Sequence, residues 1–183
     1  MALNDDDKAV LGGIVREALA AAVQGNPYQP DDPGRPALLE KCGCFVTLTT
    51  GGRLRGCLGC FTSESPLYQT AAMYARHSAL EDPRFADCRI RPAELGAVEV
   101  DVSCLSPLAV CRDPEAVRLG VDGIYVRSGG RSGCFLPQVA TETQWSVEEF
   151  WGHCCRDKTG LEWDAWKHPG VKCMTFTADV FAC

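Results

Sequence analysis

A chain of 183 residues falls within the usual range of about 100–200 residues for one globular domain. Its apolar fraction of 46% and charged fraction of 23% exclude the disordered and coiled-coil classes. Acidic residues outnumber lysine and arginine by 24 to 18, which gives a net charge of −6. This charge argues against binding to nucleic acid, because that function needs a basic surface.

The sequence starts with acidic residues, whereas a secretory leader starts with basic residues and continues with an apolar run. No stretch approaches the ~18 consecutive apolar residues of a membrane span. We therefore expect a cytoplasmic protein with no membrane segment. Its twelve cysteines are expected to stay reduced, because the cytosol disfavours disulfides, and most of them suit small positions in a core.

The first part of the chain predicts one helix followed by an extended segment. Apolar residues at spacings of three and four predict the helix over residues 6–24, and Gly25 is suited to end it. Prolines at every third position then indicate a stiff, extended connection over residues 25–36.

Residues 44–60 predict a β-hairpin, because β-forming residues flank a two-residue glycine turn. With Thr50 opposite Arg53 across the turn, Val46 faces Cys57. Alternation along the strands then places five side chains on one face: Cys44, Val46, Leu48, Arg55 and Cys57.

The remaining elements mix helices and strands. In chain order they are a helix over residues 65–80, a strand over 98–104, a hairpin over 123–136, a helix over 146–157 and a strand over 171–181. Ser146 and Glu149 have the spacing of a capping box. Because these elements do not follow a regular β–α–β alternation, we expect an α+β fold with mainly antiparallel sheets flanked by helices.

Residues 54–59 read Leu-Arg-Gly-Cys-Leu-Gly, which resembles the hallmark string of the AMMECR domain family and differs from it only at Leu58. Residues 82–85 resemble the family's D-x-R-F string. Similar stretches follow in the family's order over nearly the whole chain, at residues 99–103, 120–124 and 136–140, with Glu142 and Trp145. Bacterial members of this family are called AmmeMemoRadiSam system protein A.

The resemblance implies a single domain over residues 1–183, with an α+β fold of two unequal lobes and the hexapeptide near the cleft between them. The family name records an association with a Memo-type protein and a radical S-adenosylmethionine protein, which the resemblance therefore implies as partners. It assigns no reaction, no oligomeric state and no lobe boundaries, and we expect no cofactor.

Six residues are candidates for a ligand-binding cleft around the hexapeptide: Arg55, Gly56, Cys57, Gly59, Gln138 and Glu142. Arg55 is suited to an anionic group, and the two glycines would let another backbone or a ligand approach closely. Gln138 and Glu142 are expected in a loop at the rim of the pocket. The first hypothesis is an accessory or binding protein that presents this cleft to a small ligand or to a partner protein.

The alternative is an enzyme that depends on Cys57. Positive charge from Arg55 would favour the thiolate, and Glu142 is the candidate acid or base, with His77 as a second candidate. Such an enzyme would be a transferase or hydrolase that passes an acyl or one-carbon group through the thiol. A small buried thiol in a tightly packed strand is the simpler interpretation of Cys57.

A metal or redox site is the second alternative. Cys60 forms a C-x-x-C pattern with Cys57, and together with Cys42 and Cys44 these thiols would suit zinc or an iron–sulfur cluster. On a flat hairpin Cys57 and Cys60 point to opposite faces, so chelation would need a bulge at Gly59. We therefore favour no metal at these four positions.

Other polar and aromatic residues have structural interpretations. Asp82 and Arg84 are expected to pair with each other at a helix end, and His77 is expected at the surface or in a satisfied position. Cys154, Cys155 and the tryptophans are expected to pack in the core.

Overall fold

The structure is a computed structural model that describes residues 3–183. The chain divides into two compact units. The residues up to Leu105, together with Asp179–Cys183, form the first unit, and Ser106–Ala178 form the second. Helices and antiparallel strands in two units of unequal size confirm the predicted α+β fold. The assignment of residues 1–183 to one AMMECR-type domain stays a prediction.

Within residues 3–183, no helix combines the length and the apolar character that a membrane span requires.

The first unit is built from helices and an antiparallel sheet. Its elements are α1 (Asp5–Gln24), α2 (Pro36–Leu39), β1 (Cys44–Thr50), β2 (Arg53–Cys60), α3 (Leu67–Leu80) and β3 (Glu99–Leu105). Strand β1 lies between β2 and β3 and is antiparallel to both. The last residues of a long final strand, which begins at residue 172, also belong to this unit.

Helix α1 confirms the apolar pattern and its predicted end. The Asn4 side chain accepts a hydrogen bond from the Asp7 main chain at the start, and Gly25 ends the helix with a φ of +77°. Helix α1 packs on α3, and α3 packs on β1 and β2. The apolar faces form a core that includes Leu11, Val15, Leu38, Val46, Leu48, Leu67, Ala71, Ala75 and Val102.

The predicted hairpin is confirmed, but its predicted register is wrong beyond the turn. Thr50 lies opposite Arg53 as expected, whereas Cys57 lies opposite Thr47 and not opposite Val46. A β-bulge at Arg55 adds one residue to β2, and a shift of one residue exchanges the two faces of a strand. The shared face predicted for Arg55, Cys57 and the buried residues of β1 is therefore wrong. The bulge also lies at Arg55 rather than at Gly59.

The second unit is built around an antiparallel sheet. Its elements are β4 (Ala109–Val110), β5 (Asp122–Ser128), β6 (Arg131–Phe135), α4 (Pro137–Thr143), α5 (Val147–His153) and the first part of β7 (Lys172–Ala182). The strand order is β4, β7, β5, β6. Ser128 lies opposite Arg131, which confirms the second predicted hairpin.

The core of the second unit contains both predicted cysteines and two of the four tryptophans, while Trp145 and Trp163 are half-buried. Trp151 and Trp166 are buried and their rings stack at 6.3 Å, and Cys154 and Cys155 are buried beside them. Ser146 and Glu149 form the predicted capping box at the start of α5.

One element of the second unit differs from its prediction. Gln138 and Glu142 lie on the short helix α4 and not in a loop. Pro137 is the first residue of this helix, a position where a fixed φ favours helix formation.

Candidate functional site

The main chain of Cys57 is held from both sides by two charged residues of one short turn. Its N–H donates to Asp82 Oδ2 at 2.9 Å, and Arg84 Nη2 donates to its carbonyl at 3.0 Å. Asp82 and Arg84 also form an ion pair at 2.6 Å. We call this arrangement the Asp82–Arg84 clamp. The sequence predicts the ion pair but not its attachment to β2.

The electrostatics of the clamp follow from its geometry. The side chain of Asp82 is only 1% exposed, so the carboxylate depends on its donors rather than on water. Hydrogen bonds from the Arg84 side chain, with the N–H groups of Cys57 and Arg84, lower the pKa of Asp82 from 3.8 to about 2. Asp82 is therefore ionised over the whole physiological range, and the clamp holds Cys57 throughout it.

Helix α3 fixes the neighbouring residues of β2. The Ser78 hydroxyl donates to the Val46 carbonyl at 2.8 Å and accepts from the Leu58 N–H at 2.9 Å. A methyl group at Gly56 would collide with the carbonyl of Ser78. The close approach predicted for Gly56 is thus made by the chain's own backbone.

Gly59 has a similar explanation. A methyl group at this position would collide with the Cys44 carbonyl and with the ring of Phe45. The space beside both glycines is filled by the first unit itself. No ligand contact at Gly56 or Gly59 has been tested, so these two calls stay predictions. The candidate side chains on this strand are those of Arg55 and Cys57.

The Cys57 side chain is half-buried, and its Sγ lies 3.2 Å from Thr47 Oγ1. Most other thiols of the protein are less available for chemistry. Burial raises the pKa of nine of them, namely Cys42, Cys44, Cys104, Cys111, Cys134, Cys154, Cys155, Cys173 and Cys183. A raised pKa lowers the fraction of thiolate, which is the nucleophilic form.

Arg55 lines a cavity of about 330 Å³ in the first unit. Its guanidinium donates to Glu94 at 3.0 Å and to the Cys88 carbonyl at 3.2 Å. Arg89 and Arg91 line the same cavity, as do Asp87 and Glu94, so three arginines face two carboxylates. Hydrogen bonds from Arg91 and Arg55 lower the pKa of Glu94 to about 2. We call this space the Arg55 cavity.

The other candidate residues lie elsewhere in the chain. Gln138, which is half-buried, and Glu142, which is exposed, belong to α4 of the second unit. Their place in a cleft with Arg55 and Cys57 stays a prediction. His77 lies on α3, where Nε2 is 3.7 Å from Glu81 and the ring meets that of Tyr74 edge-on.

The metal alternative at Cys42, Cys44, Cys57 and Cys60 is not supported by their arrangement. Cys44 lies directly opposite Cys60, but Cys57 is three residues along β2 and opposite Thr47. Among residues 3–183, no group of three or more histidine, cysteine, aspartate or glutamate side chains has a spacing that suits a metal ion. Burial and the neighbouring Cys60 thiol raise the pKa of the Tyr74 hydroxyl to about 12.

The comparison with protein families covers both the hexapeptide and the clamp. The family model described as AMMECR1 matches residues 13–181. The chain belongs to the AMMECR1 family. It is 36% identical to a protein of Thermococcus gammatolerans over 98% of this chain and 91% of that protein. It is 37% identical to a protein of Methanothermobacter thermautotrophicus over 98% of this chain and 95% of that protein.

A solved structure of an AMMECR1 relative supports the fold directly. The crystal structure of the uncharacterized protein PH0010 from Pyrococcus horikoshii superposes with a TM-score of 0.84 at 34% sequence identity. The match covers 94% of this chain and 89% of that chain. In this AMMECR1 protein, the string at residues 54–59 thus forms most of β2, and the string at residues 82–85 forms the turn that clamps it.

Several contributors to this site leave no local sign in the sequence, among them the clamp, Ser78 and Arg89. The clamp joins residues 25 and 27 positions apart, and Ser78 bonds to a residue 20 positions away, so local patterns contain no sign of either contact. Arg89 gives no signal either, because nothing local distinguishes it from Arg84 and Arg91 nearby. The one sign of the clamp in the sequence is that both of its segments, residues 54–59 and 82–85, match strings of the family.

Proposed function

We propose that this chain is a cytosolic accessory or binding protein whose ligand-contacting surface is formed by residues 55–57 of β2 and the Arg55 cavity. A volume of about 330 Å³ falls at the lower end of the range of about 300–1,000 Å³ for small-molecule sites. Three arginines in its wall favour an anionic group, such as a carboxylate of a small ligand or of a partner's side chain.

The observation that carries the proposal is the Asp82–Arg84 clamp. One residue of an edge strand has both main-chain groups bonded to charged side chains, while its own side chain stays half-exposed. A binding surface needs groups held within a fraction of an ångström by a supporting shell of hydrogen bonds. The clamp supplies such support at the centre of the hexapeptide.

We further propose that the partners are a Memo-type protein and a radical S-adenosylmethionine protein, as the family resemblance implies. Gln138 and Glu142, on helix α4 of the second unit, are proposed as further ligand-binding residues. The acidic net charge of −6 gives no basis for a nucleic-acid partner.

Pull-down and calorimetry with the purified Memo-type and radical S-adenosylmethionine proteins test this function. Arg55→Ala is expected to abolish or weaken binding, and Arg89→Ala to weaken it without disturbing the ion pair at Glu94. Arg127→Ala, an exposed arginine of the second unit, is the matched control and should bind as the unmodified chain does. The absence of any complex, or equal binding by all three variants, would overturn the proposal.

A second candidate function is thiol chemistry at Cys57, with transfer of an acyl or one-carbon group. It is favoured by one contrast: six of the other thiols are buried, whereas Cys57 is half-exposed and lies against a hydroxyl. Attack by the thiolate would form a thioester or thioether and release the leaving group with the electron pair of the broken bond.

Mass spectrometry after brief iodoacetamide treatment at pH 7 tests this candidate. Cys57 should be alkylated faster than Cys88, the exposed thiol that serves as the internal reference. Cys57→Ser should remove the fast phase and leave the labelling of Cys88 unchanged. If Cys57 reacts no faster than Cys88, the enzyme hypothesis is wrong.

A further inference from the structure

A cavity of about 460 Å³ lies within the second unit, and the proposed function does not use it. Its wall includes Val110 of β4 and the turn that follows, the start of β7, and the short helical turn Trp163–Lys167. The volume lies within the range of about 300–1,000 Å³ that is typical of small-molecule sites. We call this space the β4 cavity.

The charge of this wall is opposite to that of the protein. Apart from two cysteines, its ionisable side chains are all basic: Arg112, Lys167, His168 and Lys172. Lys167 forms ion pairs at 3.0 Å with both Glu148 and Asp164. No ion pair holds Arg112 or Lys172 within the part of the chain that the structure describes. In a chain of net charge −6, two uncompensated cations on one cavity wall favour an anionic ligand.

The rest of the wall is apolar and partly aromatic. Trp166 is 6% exposed, and its indole N–H is buried without a hydrogen-bond partner among residues 3–183. The Lys167 ammonium lies 4.9 Å from the centre of the Trp166 ring. Val110 is 76% exposed, the highest value among the large apolar side chains that are exposed in the described chain. Such a wall suits a flat apolar body.

We propose that the β4 cavity binds an organic anion that joins a carboxylate or phosphate group to an apolar body of about one or two rings. Arg112 and Lys172 bind the anionic group, and Trp166, Val110 and Met174 contact the apolar body. Both a carboxylate and a phosphate group can bind to these cations. Two naphthyl probes, one with each group, show which of the two the cavity prefers.

Titration calorimetry with four small probes separates the contributions of charge and apolar body. The probes are 2-naphthoate, 2-naphthyl phosphate, the neutral 2-naphthol and inorganic phosphate. Both naphthyl anions are expected to bind with a Kd below about 1 mM, and naphthol and inorganic phosphate at least about tenfold more weakly. A preference of about tenfold between the two naphthyl anions identifies a carboxylate or a phosphate ester as the natural group, and either preference supports the proposal.

Variants locate the binding on the chain. Arg112→Ala and Lys172→Ala should each weaken binding of the tighter naphthyl anion by about tenfold, because each removes one charge-assisted contact. Lys41→Ala removes the same charge from an exposed lysine of the first unit and should leave the Kd unchanged. This control separates a local contact from a change in net charge.

The indole proton signals in an NMR spectrum give a second, independent readout. Trp166→Phe identifies the Trp166 signal by its loss, and this signal should shift more than those of the other three tryptophans when the naphthyl anion is added. Binding of naphthol as tight as that of naphthoate would overturn the proposal. So would an unchanged Kd in both Arg112→Ala and Lys172→Ala, or no binding of either naphthyl anion up to about 1 mM.

Discussion

The substitution Asp82→Asn tests the clamp on Cys57 most sharply. The carboxylate of Asp82 accepts hydrogen bonds from the Cys57 N–H and from the main chain and side chain of Arg84. Asparagine keeps the shape but removes the charge, and its amide group would place a donor against these donors. The variant is expected to fold with a lower free energy of unfolding.

The size of the effect follows from the pKa of the carboxyl group. Hydrogen bonds from Arg84 lower this pKa from 3.8 to about 2, which corresponds to about 2 kcal/mol at pH 7, at about 1.4 kcal/mol for each pKa unit. This contribution is fully present above pH 3.8. It is lost as the pH falls from 3.8 towards 2, because the unfolded chain takes up the proton first. Roughly half of it is expected to remain at pH 3.

Urea unfolding of both proteins at pH 7, 4 and 3 measures this difference. The free energy of unfolding of Asp82→Asn should be lower by about 2–3 kcal/mol at pH 7, and the gap should narrow by about 1 kcal/mol at pH 3. A gap that stays constant between pH 7 and pH 3 would refute the reasoning. So would a gap below about 0.5 kcal/mol at pH 7, which is the size of an ordinary surface substitution.

A matched control lies in the second unit. Asp122 accepts hydrogen bonds from the main chain and side chain of Arg118, and these bonds lower the pKa of Asp122. Asp122→Asn should therefore also reduce stability. Of these two aspartates only Asp82 bonds to Cys57, so only Asp82→Asn is expected to change the rate at which iodoacetamide modifies Cys57.

Four other substitutions test the packing of the first unit. In helix α1, Gly13→Ala should raise the free energy of unfolding by about 1 kcal/mol, since a methyl group there meets nothing within 4 Å. Gly12→Ala should destabilise, because the same methyl group would collide with Cys183; equal effects at the two positions would contradict the packing described. Ser78→Ala should lower the free energy of unfolding by about 1–3 kcal/mol, since two main-chain groups lose their partner, and a neutral result in urea would contradict that role. Gly56→Ala should lower the free energy of unfolding by more than about 2 kcal/mol, because the obstacle is a backbone carbonyl; an unchanged urea midpoint would argue against the close approach.

The helices and hairpins were predictable because their signals are local. Apolar periodicity with an end at Gly25 defined α1, and a glycine turn between β-forming residues defined the first hairpin. The capping box at Ser146 likewise depends on residues only three positions apart. Such patterns place an element correctly but contain little information about its neighbours.

The register of the first hairpin was not predictable in the same way. The turn fixed the pairing of Thr50 with Arg53, but the bulge at Arg55 depends on how β2 packs against the elements around it. A single inserted residue then exchanged the faces of Cys57 and Leu58. The same limit applies to Arg55, whose guanidinium is held by Glu94, 39 positions further along the chain.

Hydrogen–deuterium exchange of the chain, alone and with the Memo-type protein, tests most directly whether residues 55–57 and the Arg55 cavity form a binding surface. Peptides that cover β2 and residues 87–94 should exchange more slowly in the complex, while peptides from α1 should exchange at the same rate. Complex formation with no slowing at β2, or no complex at all, would contradict the account.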